Sequence, residues 1–300
     1  MYRHVSDNVS GLLMNFFPQI FARKIFQSRE ILIQAFETYY KSGGASEASV
    51  MTKERYEATR DQLSLNDIAR LDVVQGITIL SNTVPAGFWT LYRIFSNPSV
   101  LSLVRDEATK YLQVNDTQAV VIRTLDVDQL SKSLVLKSIL KEALRHHALG
   151  SGTRMVVEDV MIGGGHLLQK NCFVMLPNEP LQFNDEVWGT DVRDFNPLRF
   201  TKTQGSSQEL AFRAFGGGAN LCPGRFLATC EILSIVAMCA LRFDMEPVNN
   251  NWTEARPDFS VMTSIVTPPA GKIMVKVRPR EGFETGSWIF KSQGLHDATM

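Results

Sequence analysis

No charge of one sign dominates this 300-residue chain: 31 basic side chains face 31 acidic ones, for a formal net charge of +0 at pH 7. A surface so balanced has no long-range pull toward a polyanion, which argues against nucleic acid as a partner. Long apolar runs are missing too. The opening MYRHVSDNVS carries no apolar segment behind a basic start, and the most apolar early stretch, Gly11 to Phe21, is too short to span a bilayer and is interrupted by Pro18. A buried amphipathic segment is the favoured reading of that stretch, one lying on a membrane surface the other. Cysteine is scarce: Cys172, Cys222, Cys230 and Cys239 make no CxxC pair, which argues against a disulfide scaffold and for a reducing compartment. There is no GxxxxGK[ST] phosphate loop, no GxSxG elbow and no HExxH zinc motif, and both triple-glycine runs fail GxGxxG at its last glycine.

What remains is a globular composition, 44% hydrophobic and 21% charged, long enough to bury a sizeable core. Repeats are absent, and Ser42 to Ser49 (SGGASEAS) reads as a flexible loop. Ser64 with Asp67 three residues on predicts the start of a long helix running through Phe95, kinked or loosened at Pro85. Asn97-Pro98 supplies an N-cap and first-turn proline for a helix to about Val114. The next helix is expected from about Asp126 to Leu149-Gly150, with Leu130, Leu134, Ile139, Leu140 and Leu144 on its buried side. Beyond Gly150 short apolar runs, Met155-Val157, Met161-Ile162, His166-Leu168 and Phe173-Leu176, predict a small antiparallel sheet. A loop-rich stretch, Pro177 to Ala214, is long enough to suggest a functional loop. An apolar helix from Gly224 to Leu241 and a strand pair, Val261-Val266 with Lys272-Val277, follow, and the tail after Arg280 has no period. The fold class is mainly α with small appended β-sheets.

The chemistry concentrates in Phe215-Gly-Gly-Gly-Ala-Asn-Leu-Cys222-Pro-Gly224-Arg225. Glycines there permit positive φ and the close approach of a flat ligand, and a cysteine at a helix start is favoured as a thiolate. No other cysteine lies within five residues of Cys222, and no histidine comes nearer than 56 positions. One thiolate alone suits haem iron better than zinc, which takes four protein ligands. A buried cysteine capping a helix is the plainer alternative. Glu142-x-x-Arg145 places an acid and a base on one helix face, and Pro197-x-Arg199-Phe200 puts a basic residue in the loop-rich stretch. Each is weak alone.

In this order, and with the cysteine loop reading Phe215-x-x-Gly218-x-x-x-Cys222-x-Gly224, the three segments resemble the C-terminal signatures of the cytochrome P450 family. The resemblance implies the C-terminal portion of that fold, residues 1–280, and a loose tail at 281–300; the family's front part, with its anchor and first helices, has no counterpart here. It implies haem b ligated by Cys222, whose electron donation favours O–O cleavage. Phe215, Gly218 and Gly224 would shape the loop beneath the haem, and Arg154 would pair a propionate. Glu142, Arg145 and Arg199 would form a structural charged cluster. Phe88, Trp89, Val156 and Ile265 fall where the family lines its pocket, although core packing explains each equally well.

Two positions depart from the family pattern. Asn220 replaces the basic residue usual two places before the cysteine, so it offers a hydrogen bond without charge. In the long helix the usual acid and alcohol are replaced by Ser81 and Asn82, inside a run resembling the branch of sterol 7α-hydroxylases and prostacyclin synthase. Asn82 can hold water or a substrate oxygen, or fill the hydrogen-bond gap that Pro85 opens. Three readings follow from the resemblance. One is a monooxygenase inserting one atom of O2 into a lipophilic sterol, terpenoid or similar molecule, with electrons from an NADPH–cytochrome P450 reductase-type donor. The others are an isomerase or dehydratase acting without O2, and an inactive fragment. The location implied is the cytosolic face of the endoplasmic reticulum membrane, or the cytoplasm, since this chain carries no anchor.

Overall fold

The structure, a computed structural model, describes residues 17–117, 120–261 and 264–292. Most of the Gly11–Phe21 stretch therefore lies outside the described residues, and its described end, Phe17, Ile20 and Phe21, is exposed rather than buried. The chain forms two compact units, parted after Val84; residues 260–264 belong to the first.

In the first unit, α1 (Arg23–Lys41) is followed by a 3-10 turn, Gly44–Glu47, within the glycine-serine patch read as a flexible loop, and by α2 (Val50–Thr59). The long helix α3 (Leu65–Phe95) then starts where its capping residues require, with the Asp67 amide donating to Ser64 Oγ (3.2 Å) and Ser64 Oγ donating to the Asp67 carboxylate (2.6 Å). Ile33, Ala69 and Val73 make a small core. Beside it the buried Asp72 accepts from Tyr40 (2.5 Å) and pairs with Arg55.

The second unit opens at Pro85, where α3 lacks a backbone donor; the helix nevertheless runs on to Phe95. After α4 (Pro98–Thr109), capped by Asn97 as expected, the chain leaves the helix sooner than its apolar pattern suggests. Leu112–Thr117 (β1) and Val120–Asp126 (β2) form an antiparallel hairpin in place of a helix to Val114; the β-branched run Val120-Val121-Ile122 favours strand over helix. The helix expected from Asp126 is likewise divided. Asp126 caps a single turn, Val127–Leu130, and Ser133 caps a second start, α5 (Leu134–His147), its hydroxyl accepting from the Leu136 amide (3.2 Å). The buried Glu107 carboxylate of α4 accepts from that same hydroxyl at 2.6 Å, which ties the two helices at this point.

The apolar runs after Gly150 form two separate two-stranded sheets instead of one: β3 (Ser151–Met155) pairs with β6 (Phe173–Pro177), and β4 (Val160–Ile162) with β5 (His166–Leu168). The apolar helix α6 (Arg225–Arg242) packs Ile232, Leu233, Val236, Ala237, Ala240 and Leu241 into a core shared with α4 and α5. Its C-terminal carbonyls are met by two arginines, Arg105 at Ala240 O (2.8 Å) and Arg280 at Leu241 O (2.8 Å), where a helix end favours cations.

The last strands differ from expectation. The described residues of Val261–Val266 are not in a strand; β7 (Phe243–Pro247) pairs instead with β8 (Val275–Pro279), and Pro257 bridges Pro269. Nor is the tail loose up to residue 292. Ser287–Lys291 (β9) runs parallel to β2, fastened by Arg123, which donates to Thr285 O (2.6 Å) and Gly282 O and lies over the Phe283 ring. The sequence hid this because a five-residue strand shows its period only against a partner 165 positions away (Ile122 with Ser287).

Gly286 carries this junction: its φ is +103°, and a Cβ there would stand 2.6 Å from Arg123 Nη1 and 2.7 Å from Val121 O. Gly286→Ala should destabilise the chain by about 1–3 kcal/mol. Urea unfolding together with faster hydrogen exchange in β2 and β9 would register it; unchanged exchange there would count against this role for the turn.

Candidate functional site

The helix α5 brings Glu142 and Arg145 to one face, three residues apart, and buries both completely. Arg145 donates twice to the Glu142 carboxylate, from Nε and Nη2, each at 2.9 Å, and sends Nη1 to the carbonyl of Gln182 (2.7 Å). Arg199, in the one-turn segment Arg199–Thr201, joins from the loop-rich stretch: its Nε donates to Glu142 Oε1 at 3.0 Å. That carboxylate also accepts from the Asn196 amide (3.1 Å). Arg199 spends its other nitrogens on the Asp191 carboxylate, two bonds of 3.0 Å, and on the Trp188 carbonyl at 3.0 Å. Thus the three charged residues picked out by their motifs meet around one carboxylate.

The electrostatics favour the charged form of that carboxylate. Burial pushes the Glu142 carboxyl up, but hydrogen bonds from Arg145 and His146, the Arg145 charge and the Asn196 amide outweigh it and bring it down to about 2. Asp191, half exposed, is held below its ordinary value mainly by the hydrogen bond from Arg199. His146 and His147, the two residues after Arg145, are both buried and both lowered, by burial first and then by neighbouring cations, with the Glu142 hydrogen bond opposing at His146. Motif reading missed these partners. The His146-His147 doublet directly after the Glu-x-x-Arg motif was the available signal; Asp191 and Gln182 had none.

The cluster's task is mechanical. It ties Gln182, Trp188, Asp191, Asn196 and Arg199 to α5, and the Phe200 amide adds a bond to Ser138 Oγ of the same helix (2.9 Å). The stretch Pro177–Ala214 is therefore a fixed scaffold with short turns, Asn178–Gln182, Asp185–Trp188 and Ser206–Ala211. It delivers the chain to Phe215.

There the Cys222 amide donates to the Phe215 carbonyl (2.9 Å), closing a tight loop, and Leu221 N donates to Gly218 O (3.2 Å). Gly216 (φ +79°) and Gly218 (φ +64°) need the left-handed region, whereas Gly217 and Gly224 (φ −80°) do not. At Gly217 the nearest atoms to where a Cβ would be are those of the Arg213 guanidinium, at 2.7 Å, the movable end of a flexible side chain. A Cβ at Gly218 would meet nothing within 4 Å, and one at Gly224 would stand 3.9 Å from Cys222 Sγ. Cys222 is partly exposed just before α6, and apolar surface beside it is uncovered at Leu221 (40%) and Phe226 (69%). Among the described residues no three His, Cys, Asp or Glu side chains group as metal ligands. One soft donor, glycine-cleared space and bare apolar surface suit a flat apolar ligand whose metal takes a single protein thiolate.

The other expected residues stand apart from this loop or cluster. Arg154, on β3, is exposed and donates to its neighbour's carbonyl, Thr153 O (2.9 Å). Asn220 belongs to the 3-10 turn Gly218–Asn220 and is exposed. Ser81 and Asn82, in the part of α3 belonging to the first unit, turn toward their own helix: Ser81 Oγ donates to Thr78 O (3.5 Å), and Asn82 Nδ2 reaches Thr78 O and Ser81 Oγ (3.4 Å each). Of the four pocket candidates, Trp89 and Val156 are buried, while Phe88 and Ile265 are partly buried against the core.

A family model described as Cytochrome P450 matches residues 16–275. The chain is 34% identical to the cytochrome P450 monooxygenase nodJ of Hypoxylon pulicicidum, over 95% of this chain and 58% of that protein. It is 26% identical to cytochrome P450 7A1 of Sus scrofa, over 64% of this chain and 42% of that protein. It is 29% identical to a 7-alpha-hydroxycholest-4-en-3-one 12-alpha-hydroxylase of Oryctolagus cuniculus, over 57% and 37% respectively. The chain spans about half the length of the curated relatives it matches.

Replacing Glu142 by Gln leaves Arg145 and Arg199 buried around a neutral amide, and should cost about 3–5 kcal/mol in urea unfolding; a loss under 1 kcal/mol would deny the cluster its role. The pH dependence has two stages. The buried histidines take protons more readily when unfolded, so stability should decline as pH falls below their ordinary value of 6.5. The Glu142 contribution is complete above the ordinary carboxyl value of 4.5 and is lost as pH falls toward about 2. Melting temperature measured from pH 8 to 3 checks both.

Proposed function

The chain belongs to the cytochrome P450 family, and we propose that it is the haem-binding part of a monooxygenase that places one oxygen atom of O2 into a lipophilic small molecule, a sterol, terpenoid or similar. The observation that carries this reading is the Cys222 loop: one partly exposed thiol on a glycine turn that the Cys222 amide closes by donating to the Phe215 carbonyl, with no described atom within 4 Å of where a Cβ at Gly218 would stand. Bound there, a haem iron would supply O2 activation, with two electrons arriving from an NADPH–cytochrome P450 reductase-type partner.

The chain's own residues then divide the work. Cys222 would give the iron its protein ligand, with its backbone held by the amide hydrogen bond to Phe215 O. Gly218 and Gly224, having no side chains, would leave room for a flat ligand beside Cys222. Leu221 and Phe226 would cover its apolar surface and exclude water. Arg154 would pair with a propionate, since its guanidinium is exposed and tied only to a neighbouring carbonyl that it can exchange for an anion. Glu142, Arg145 and Arg199 touch none of this; they position the loop. Relatives named as sterol hydroxylases support the lipophilic substrate class, and P450 7A1 supports the same branch.

A second reading rests on Ser81 and Asn82. Both can donate or accept hydrogen bonds, neither is an acid at neutral pH, and both face the Thr78 carbonyl of their own helix. A pair that holds water or a substrate oxygen without delivering a proton suits a rearrangement or dehydration of an already oxygenated substrate. Such turnover would need neither O2 nor a reductase, and that requirement separates the two. For location, the family favours the cytosolic face of the endoplasmic reticulum membrane; no helix among the described residues is long and apolar enough to cross it.

The first test is optical. The purified chain, supplied with haem, reduced with dithionite and exposed to carbon monoxide, should show the long-wavelength Soret band of a thiolate-ligated haem, and Cys222→Ala should abolish it. Haem uptake without that band, or a band that survives in the variant, would sink the assignment of Cys222. No uptake by a folded chain would favour an inactive fragment.

A further inference from the structure

Three segments of the second unit meet at one aromatic stack that the haem-thiolate reading does not use. The His147 imidazole, at the C-terminal end of α5, lies flat on the Trp89 indole of α3, with ring centroids 3.6 Å apart and planes within 3°. Trp89 is 1% exposed and His147 5%. The indole Nε1 donates to the Thr267 carbonyl at 2.7 Å, and the Thr267 amide donates to the His147 carbonyl at 2.8 Å. Two residues further back along that segment, the bonding continues: the Gly150 amide donates to Ile265 O (3.0 Å). Thr267 is thus clamped on both sides by the two stacked residues.

What surrounds the imidazole is poor in acceptors. Neither ring nitrogen of His147 has a hydrogen-bond partner among the described residues. From α3 it is faced by Arg93, one turn beyond Trp89, whose Nε is also without a partner and whose guanidinium lies over the Phe195 ring at 5.3 Å. From its own helix it is faced by His146, with Arg145 and Glu142 behind. Glu254 and Tyr92 act on Arg93. The acid of its own helix, Glu142, is already saturated by Arg145, Arg199 and the Asn196 amide. A proton added to His147 would therefore sit buried beside a cation, with no carboxylate to receive its N–H bonds. The indole face attracts an imidazolium somewhat, but that attraction does not replace lost hydration for either N–H.

We propose that the Trp89–His147–Thr267 junction is an acid-sensitive latch, closed while His147 is neutral and released when its imidazole is protonated, freeing the segment around Thr267 from the end of α5. Burial first, and the Arg93 charge second, hold the closed-state imidazole well below its ordinary value of 6.5. In the released state the ring titrates near that ordinary value. As pH falls below 6.5 the released form is thus favoured, by up to about tenfold per pH unit.

The amide of Thr267 reports the latch directly, because its acceptor is the His147 carbonyl. Hydrogen exchange of the full chain at pH 7.5 and 5.5, corrected for intrinsic pH dependence, should show its protection falling about tenfold at the lower pH. His147→Phe keeps an aromatic ring on Trp89 and should make that protection insensitive to pH; His146→Phe should leave the fall in place. Unchanged protection in the wild type would overturn the proposal. An equal fall in His147→Phe, or its disappearance in His146→Phe, would do the same. If His147→Phe does not fold, the ring C–H resonance of His147 in the wild type decides. Its midpoint should lie below 6.5, with Thr267 protection lost over the same interval, and an ordinary midpoint with Thr267 still protected would refute the latch.

Discussion

A single carboxylate with no exposure to solvent organises the second unit of this protein. Glu142 would be costly to bury alone, since an isolated charge in a medium of low dielectric loses several kcal/mol of hydration. It is stable there because two guanidinium groups and a backbone amide reach it at 2.9–3.1 Å. The donors come from two distant parts of the chain: Arg145 from the same helix, Asn196 and Arg199 from a loop more than fifty residues later. Satisfying one charge therefore forces the loop onto the helix. The same demand for partners extends outward, as Arg199 takes Asp191 and Trp188 O, and Arg145 takes Gln182 O.

The consequence for the thiol is indirect. The scaffolded loop ends at Phe215, and Phe215 O is the acceptor that sets the Cys222 backbone. The other boundary of the cysteine loop is α6, anchored by its apolar side in the core and by Arg105 and Arg280 at its far end. The backbone that carries the thiol is thus fixed from both sides before any ligand arrives. The charged cluster and the cysteine loop are parts of one construction, the cluster fixing the stretch that leads into the loop. The hairpin β1–β2 and strand β9 extend that construction through Asp126 and the turn that precedes α5.

Local signals were legible wherever a short stretch contained its own cause. Ser64 with Asp67, Asn97 before Pro98, and Gly216 and Gly218 before Cys222 each specify backbone geometry locally, and the structure has them as read. Reading failed where the deciding partner was distant or where two local signals competed. Ser133 ended one turn and began a helix inside a continuous apolar pattern. The stretch Leu112–Asp126 became a hairpin because pairing and β-branching outweighed its continuity with α4. The tail gained β9 only through Arg123 and the exposed edge of β2.

The family was determined by sequence alone, because its signatures are residue types at fixed short spacings: Glu142 with Arg145, Pro197 with Arg199, and Phe215 through Gly224. Those spacings carry the helix face, the turn and the loop of the candidate site. The tertiary structure alone decided that the two arginines converge on one carboxylate, that Asp191 and Gln182 complete the cluster, and that His147 lies against Trp89 with both nitrogens unpartnered among the described residues. The physical reason is that burial and partner count are properties of packing. A sequence names which groups are charged, but only the folded chain says which have lost their water and what replaced it.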